Sequence, residues 1–184
     1  MNIEKYEGVL LACFGDPGLY ALKEITPIPI IGIAESSLSM SLLLGSSFAI
    51  LVALEKAVPM MKNMVQQYAL TGRMAGIYSL GISVLGLEEN KKKTLNALLE
   101  VTKKAVSEKG AEVIILGCAG LTGFSDKIEK EIGVTVIDPV RIGIKILESI
   151  VESDLKIARN GLYMSPSLKE IVNMDFIKPL KNIY

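Results

Sequence analysis

Short runs of apolar residues recur along the chain and alternate with segments whose apolar residues repeat every three or four positions. Continuous runs rich in Val and Ile are typical of buried parallel strands. Such runs predict strands at 8–13, 28–33, 48–52, 74–79, 113–118 and 134–137. The segments between them predict helices at 17–24, 54–68, 89–109, 126–131 and 141–153. Strands that alternate with helices predict an α/β fold with mostly parallel sheets.

Two segments give a weaker pattern. The apolar stretch 38–54 contains Gly45 and four serines, whereas a membrane-spanning helix needs about 20 cleaner apolar residues. We interpret this stretch as core plus loop. The tail after Asn160 is irregular, with a short helix predicted at 167–174.

An internal repeat links the two cysteines of the chain. In each copy a strand ends on a cysteine, and a glycine-bearing loop, a short helix and a second strand follow; the second strand begins 15 residues after Cys13 and 16 after Cys118. The repeat predicts two related lobes, the first formed by 1–45 plus 139–184 and the second by 46–138. Ligands of parallel sheets bind beyond the carboxyl ends of the strands. We therefore expect both thiols to face one cleft.

Charge and composition limit which classes of partner and which cellular compartment the sequence indicates. The chain has 184 residues, half of them apolar, which is enough to bury a core. Because 20 acidic residues balance 20 basic ones, the net charge does not indicate a nucleic-acid or membrane partner. Glu4, Lys5 and Glu7 precede the first apolar run, so we predict no signal peptide, reduced thiols and a cytoplasmic location.

The chain contains no histidine. Ser-His-Asp and Cys-His couples and histidine metal sites are therefore excluded within it, and two cysteines cannot supply a four-thiolate zinc site. We expect no metal and no cofactor. Acid–base chemistry near neutral pH is left to Cys, Asp, Glu, Lys or Tyr.

Two thiols on opposite faces of one carbon suit the inversion of a stereocentre. A thiol has an unperturbed pKa of about 8.5, so its thiolate can remove an acidic proton next to a carbonyl while the other thiol returns one. Cys13 and Cys118 are the candidates, and the glycine-rich loop after Cys118 offers backbone N–H groups for an oxyanion. Two alternatives remain: each cysteine is an inert core residue, or the pair is a redox switch, although no C-x-x-C motif supports the latter.

Five segments of the sequence resemble the hydantoin racemase group of the aspartate/glutamate racemase superfamily, which includes allantoin racemases. They are ACFGDPGL (12–19), IGIAESS (31–37), LEKAVPMMKNMV (54–65), VIILGCAGL (113–121) and VIDPV (136–140). The resemblance implies two Rossmann-like lobes with the site between them, and a homo-oligomer. It also implies cofactor-independent racemisation of a small cyclic ureide, of hydantoin or allantoin type, or of a related amino acid. Cys13 and Cys118 would be the opposed acid and base.

Six residues next to the predicted strand ends are the candidate substrate contacts: Phe14, Gly15, Val52, Ala53, Ala119 and Gly120. The family often carries V-T-T where this chain has Leu51-Val52-Ala53, which predicts fewer hydrogen-bond donors. The family also carries an N-P-N-[ST] strand ahead of the first cysteine motif, so we expect the first lobe to be N-terminally incomplete and the site to be open on one side. The alternative function is a truncated, non-catalytic homologue that binds a small ligand or serves as a subunit-interaction domain.

Other conspicuous residues are interpreted as structural. Asp16 is expected to cap the helix that follows it, and Glu35 and Asp138 are interpreted as helix-start carboxylates. The methionines, among them Met60, Met61 and Met64, are interpreted as core residues.

Overall fold

Strands and helices alternate along the chain in a computed structural model, which describes residues 5–167. The six strands of this part are β1 (Val9–Leu11), β2 (Ile30–Gly32), β3 (Phe48–Val52), β4 (Met74–Ser79), β5 (Val113–Leu116) and β6 (Thr135–Ile137). Its seven α-helices are α1 (Leu19–Ile25), α2 (Ile33–Leu44), α3 (Ala57–Gln67), α4 (Val84–Glu89), α5 (Lys91–Lys109), α6 (Ser125–Ile132) and α7 (Pro139–Glu152). Every predicted strand is present, which confirms the reading of the apolar runs.

All strand pairs are parallel. β1 pairs with β2, with Val9 opposite Ile30 and Leu11 opposite Gly32. The other four strands form one sheet in the order β4-β3-β5-β6. The predicted α/β class with parallel sheets is confirmed.

The central strand β3 shows why continuous apolar runs mark these strands. Side chains alternate across a strand: Phe48 and Ile50 pack on the face that α2 and α3 cover, whereas Ala49 and Leu51 pack on the face that α4, α5 and α6 cover. Because helices cover both faces, β3 is buried along its whole length.

Helix α2 corrects the interpretation of 38–54 as core plus loop, which is wrong for residues 38–44. The helix contacts β2, β5, β6 and α7, and exposed positions such as Leu43 are also apolar. It therefore lacks the polar face that reveals a helix in a sequence. Its buried serines are satisfied within the helix. Ser36 donates to the Gly32 carbonyl (2.6 Å) and Ser37 to the Ile33 carbonyl (2.7 Å).

Helix α4 was also missed, and it separates from α5 at a capped junction. The Ser83 side chain accepts a hydrogen bond from the Gly86 N–H (3.1 Å) at the start of α4, and Asn90 accepts one from the Lys93 N–H (2.9 Å) at the start of α5. The helix predicted at 89–109 therefore begins at Lys91. The helix predicted at 167–174 lies, after its first residue, outside the described residues.

The division of the strands into two sheets matches the predicted lobes. β1 and β2 belong to the first predicted lobe, and β3 to β6 belong to the second. Helix α7 packs against α2, β1 and β2, and Arg159, beyond α7, donates to the carbonyls of Lys23, Glu24 and Thr26 at the end of α1. The lobe boundaries at 45 and 138 stay a prediction. Along residues 5–167, no helix combines the length and apolar character that a membrane crossing needs.

Candidate active site

Cys13 and Cys118 line the same cavity, which has a volume of about 330 Å³. Each follows the carboxyl end of a strand by two residues: Cys13 follows β1 in one sheet, and Cys118 follows β5 in the other. Both thiols are free, Cys13 exposed and Cys118 half-buried. The fold thus brings two accessible sulfur groups from the two repeats to one space.

The two cysteines begin similar turns. The Asp16 N–H donates to the Cys13 carbonyl (2.8 Å), and the Leu121 N–H donates to the Cys118 carbonyl (3.0 Å). In both turns the N–H three residues after the cysteine donates to the cysteine carbonyl. The same hydrogen bond therefore follows both cysteines of the predicted repeat, although the turn after Cys118 is a 3₁₀ helix (Ala119–Leu121) and the turn after Cys13 is not.

The other predicted site residues divide into two sets. Gly15, Ala53, Ala119 and Gly120 line the cavity, and so does Phe14, although it is otherwise buried. Val52 is fully buried and packs in the core between β3 and its covering helices. It is therefore not placed to touch a ligand in this cavity.

Backbone N–H groups are available beside both thiols. Among the described residues, no backbone hydrogen bond uses the N–H of Phe14, Gly15, Ala119 or Gly120 as its donor. These groups follow the cysteines directly in the chain. They are candidate donors to an oxygen that gains negative charge.

Asp16 fastens the Cys13 loop to helix α2, and the expectation that it caps α1 is wrong. Its carboxylate accepts from the N–H groups of Ala34 (3.2 Å) and Glu35 (2.9 Å), whereas Gly18 is the N-cap residue of α1 and no side chain caps this helix. A Cβ at Gly32 would lie 2.2 Å from this carboxylate. Burial raises the pKa of Asp16 to about 6, against the lowering effect of the two backbone hydrogen bonds and of Lys23.

Glu35 is a helix-start carboxylate, as predicted. It accepts from the Gly32 N–H (3.1 Å) in the first turn of α2. The Lys23 ammonium lies 2.7 Å from its carboxylate in a largely buried ion pair. Both partners of the pair therefore hold α1 against α2 behind the Cys13 loop.

Asp138 fastens the Cys118 loop to a helix, as Asp16 fastens the Cys13 loop to α2. As predicted, it starts a helix, accepting from the N–H groups of Val140 and Arg141 (both 3.1 Å) in α7. It also accepts from the Gly123 N–H (2.8 Å), five residues after Cys118. In each repeat a carboxylate thus connects the cysteine loop to the start of the helix that follows the next strand. In the first repeat the carboxylate lies in the loop, and in the second it lies at the start of the helix.

Sequence reasoning missed the apolar wall of the cavity. Leu54, Met60 and Val84 line it and are 40%, 50% and 52% exposed. Met61 and Met64 are core residues as interpreted, but Met60 is not. The signal was present in the helical pattern, because Met60 falls off the face shared by Met61, Met64 and Val65.

Comparisons with known proteins show the family of the chain. A family model described as Asp/Glu/Hydantoin racemase matches residues 1–147. A hydantoin racemase from Pseudomonas sp. (strain NS671) is 38% identical over 169 residues, which cover 92% of this chain and 68% of that protein.

Two solved allantoin racemases share the fold. The one from Pseudomonas fluorescens has a TM-score of 0.87 at 30% identity and covers 91% of this chain and 71% of its own. The one from Klebsiella pneumoniae has a TM-score of 0.88 at 28% identity, and the match covers 98% of this chain and 71% of that chain. The predicted family, and with it the enzyme class of racemase, is confirmed: the chain belongs to the Asp/Glu/Hydantoin racemase family.

Proposed function

We propose that the chain racemises a small chiral cyclic ureide of hydantoin or allantoin type without a cofactor, with Cys13 and Cys118 as the two acid–base groups. The observation that carries the proposal is the shared cavity: two accessible thiols reach one space from strand ends in two different sheets. The alternative of a non-catalytic homologue predicts thiols that are separated or covered by side chains. The shared cavity argues against it.

The reaction needs only one thiolate and one thiol. The thiolate removes the proton from the stereocentre as the C–H bond breaks, and the electron pair passes to the adjacent carbonyl as an enolate. The thiol on the opposite face then gives its proton to the carbon, and a new C–H bond of inverted configuration forms. One thiol and one thiolate remain with their roles exchanged, so the reverse reaction starts from the product state.

The environment of the thiols fits a neutral ring. The described residues that line the cavity carry no charged side chain, so a free carboxylate such as that of an amino acid finds no cationic partner among them. The backbone N–H groups of Phe14, Gly15, Ala119 and Gly120 are the candidate donors to the carbonyl oxygen as it becomes an enolate. This favours a ureide over the amino-acid alternative.

The test is racemisation of a single-enantiomer hydantoin, followed by polarimetry, in Cys13→Ser, Cys118→Ser and a matched control. Lys62→Ala, an exposed change on α3 outside the cavity, serves as the control. We expect each serine variant to lose at least about a hundredfold in kcat while the control keeps the parent rate. Serine variants that racemise at the parent rate would overturn the proposal.

A further inference from the structure

A second cavity lies beside the cysteine cavity, between α1 and α3, and also has a volume of about 330 Å³. The two cavities share Gly15 and Met60 among their lining residues. Gly15 is two residues after Cys13, and an added Cβ there would lie 3.6 Å from the Met60 methyl carbon. The wall between the cavities is therefore a glycine and one flexible, half-exposed methionine.

The two cavities differ in chemistry. Polar side chains line the second one: Asp16, Tyr20, Asn63, Gln67 and Tyr68. The Gln67 amide nitrogen donates to the Tyr20 hydroxyl (3.1 Å), which leaves the Gln67 amide oxygen as an acceptor. Each Asp16 oxygen accepts one backbone N–H and keeps a further lone pair.

The cavity holds one carboxylate, that of Asp16, together with neutral amide and hydroxyl groups that both donate and accept hydrogen bonds. No basic side chain is among the described residues that line it, and the neighbouring Lys23 is held by Glu35. A group that brings N–H donors therefore finds a carboxylate and amide oxygens, whereas an alkyl group of the same size would leave them unpaired.

We infer that this polar cavity, with its Asp16 carboxylate, is the subsite for the substituent on the stereocentre of the substrate, and that it selects substituents ending in N–H donors, such as ureido, amide or guanidinium groups. The inference rests on the proposed function. With the stereocentre between the two thiols, a substituent that extends past Gly15 and Met60 enters the second cavity. Met60 then sets the width of the passage.

The test compares two hydantoins of matched length, one with a ureidopropyl group and one with a hexyl group at the stereocentre. We expect kcat/KM of the parent to favour the ureidopropyl compound by about tenfold, the contribution of one hydrogen bond to a good acceptor. Gln67→Leu and Asn63→Leu, both exposed positions on α3, are expected to remove most of this preference. Gln66→Leu, exposed on the same helix but outside the cavity, is the matched control and keeps it.

The ratio of the two substrates separates selection from folding, because a purely structural defect lowers both rates together. A parent enzyme without preference, or a Gln67→Leu variant with an unchanged ratio, would overturn the inference and leave the proposed function standing. A parent that racemises neither hydantoin would overturn the proposed function, and the inference with it.

Discussion

The partly buried carboxylate of Asp16 predicts a specific pH dependence of stability. Burial raises its pKa from 3.8 to about 6, so the folded protein holds the proton more tightly than the unfolded chain does. The stability that this group contributes is fully present below pH 3.8 and is lost as the pH rises through 6. Asp16→Asn removes the titration while keeping the size of the side chain and one acceptor for the α2 amides. Asn also tolerates the positive φ of 41° at this position.

The size of the effect follows from the shift. At about 1.4 kcal/mol per pKa unit the full change is about 3 kcal/mol, and because Asp16 is partly exposed we expect roughly half of that. Urea unfolding followed by far-ultraviolet circular dichroism suits a chain without tryptophan. Between pH 4 and pH 7 the free energy of unfolding of the parent should fall by about 1.5 kcal/mol more than that of Asp16→Asn.

The matched control is Asp126→Asn, at a carboxylate whose side chain is 79% exposed. It should follow the parent at both pH values, because no comparable burial acts on it. The same pH dependence in the parent and in Asp16→Asn would refute the reasoning that burial of Asp16 opposes its ionisation.

Three further substitutions test the site and its supports. Gly120→Ala places a methyl 3.7 Å from the Cys118 sulfur and 3.3 Å from the buried Leu87. It should lower kcat by about tenfold or more and also lower the urea midpoint slightly, because Leu87 has to shift; an unchanged kcat would contradict the placement of Gly120 beside the thiol. Asp138→Ala removes acceptors from Gly123, Val140 and Arg141 and should lower the free energy of unfolding by about 2–4 kcal/mol; a cost below about 0.5 kcal/mol would contradict this role. Lys23→Met leaves the Glu35 carboxylate without its ammonium partner and should lower the free energy of unfolding by about 2–4 kcal/mol. Lys145→Met, at the exposed pair with Glu148, is the control and should be hard to distinguish from the parent in the same urea titration. A larger loss of stability in Lys145→Met than in Lys23→Met would refute the argument from burial.

The strands and the two cysteines were predictable because each depends on local pattern. A strand such as β3, covered on both faces, has to be apolar throughout, and the repeat places both thiols at strand ends. Helix α2 was not predictable in this way, because exposed positions such as Leu43 are apolar as well and leave the helix without a polar face. The division of the chain into lobes stays a prediction.

The two carboxylates that hold the cysteine loops, Asp16 and Asp138, differ in how far along the chain they act. Asp138 was correctly interpreted because an N-cap acts on the next few residues. Asp16 acts on amides 18 and 19 residues away, and this contact depends on the close approach that only a glycine at position 32 allows. Its target could not be inferred before the packing of the loop on α2 was known.

The measurement that tests the central claim most directly is solvent-deuterium exchange at the stereocentre, with each pure enantiomer, in Cys13→Ser and Cys118→Ser. If the two cysteines act on opposite faces of one carbon, each variant keeps a single thiolate and exchanges the proton of one enantiomer only. The two variants are then predicted to prefer opposite enantiomers, with little inversion. Exchange of both enantiomers by either variant at the parent rate would contradict the two-cysteine account.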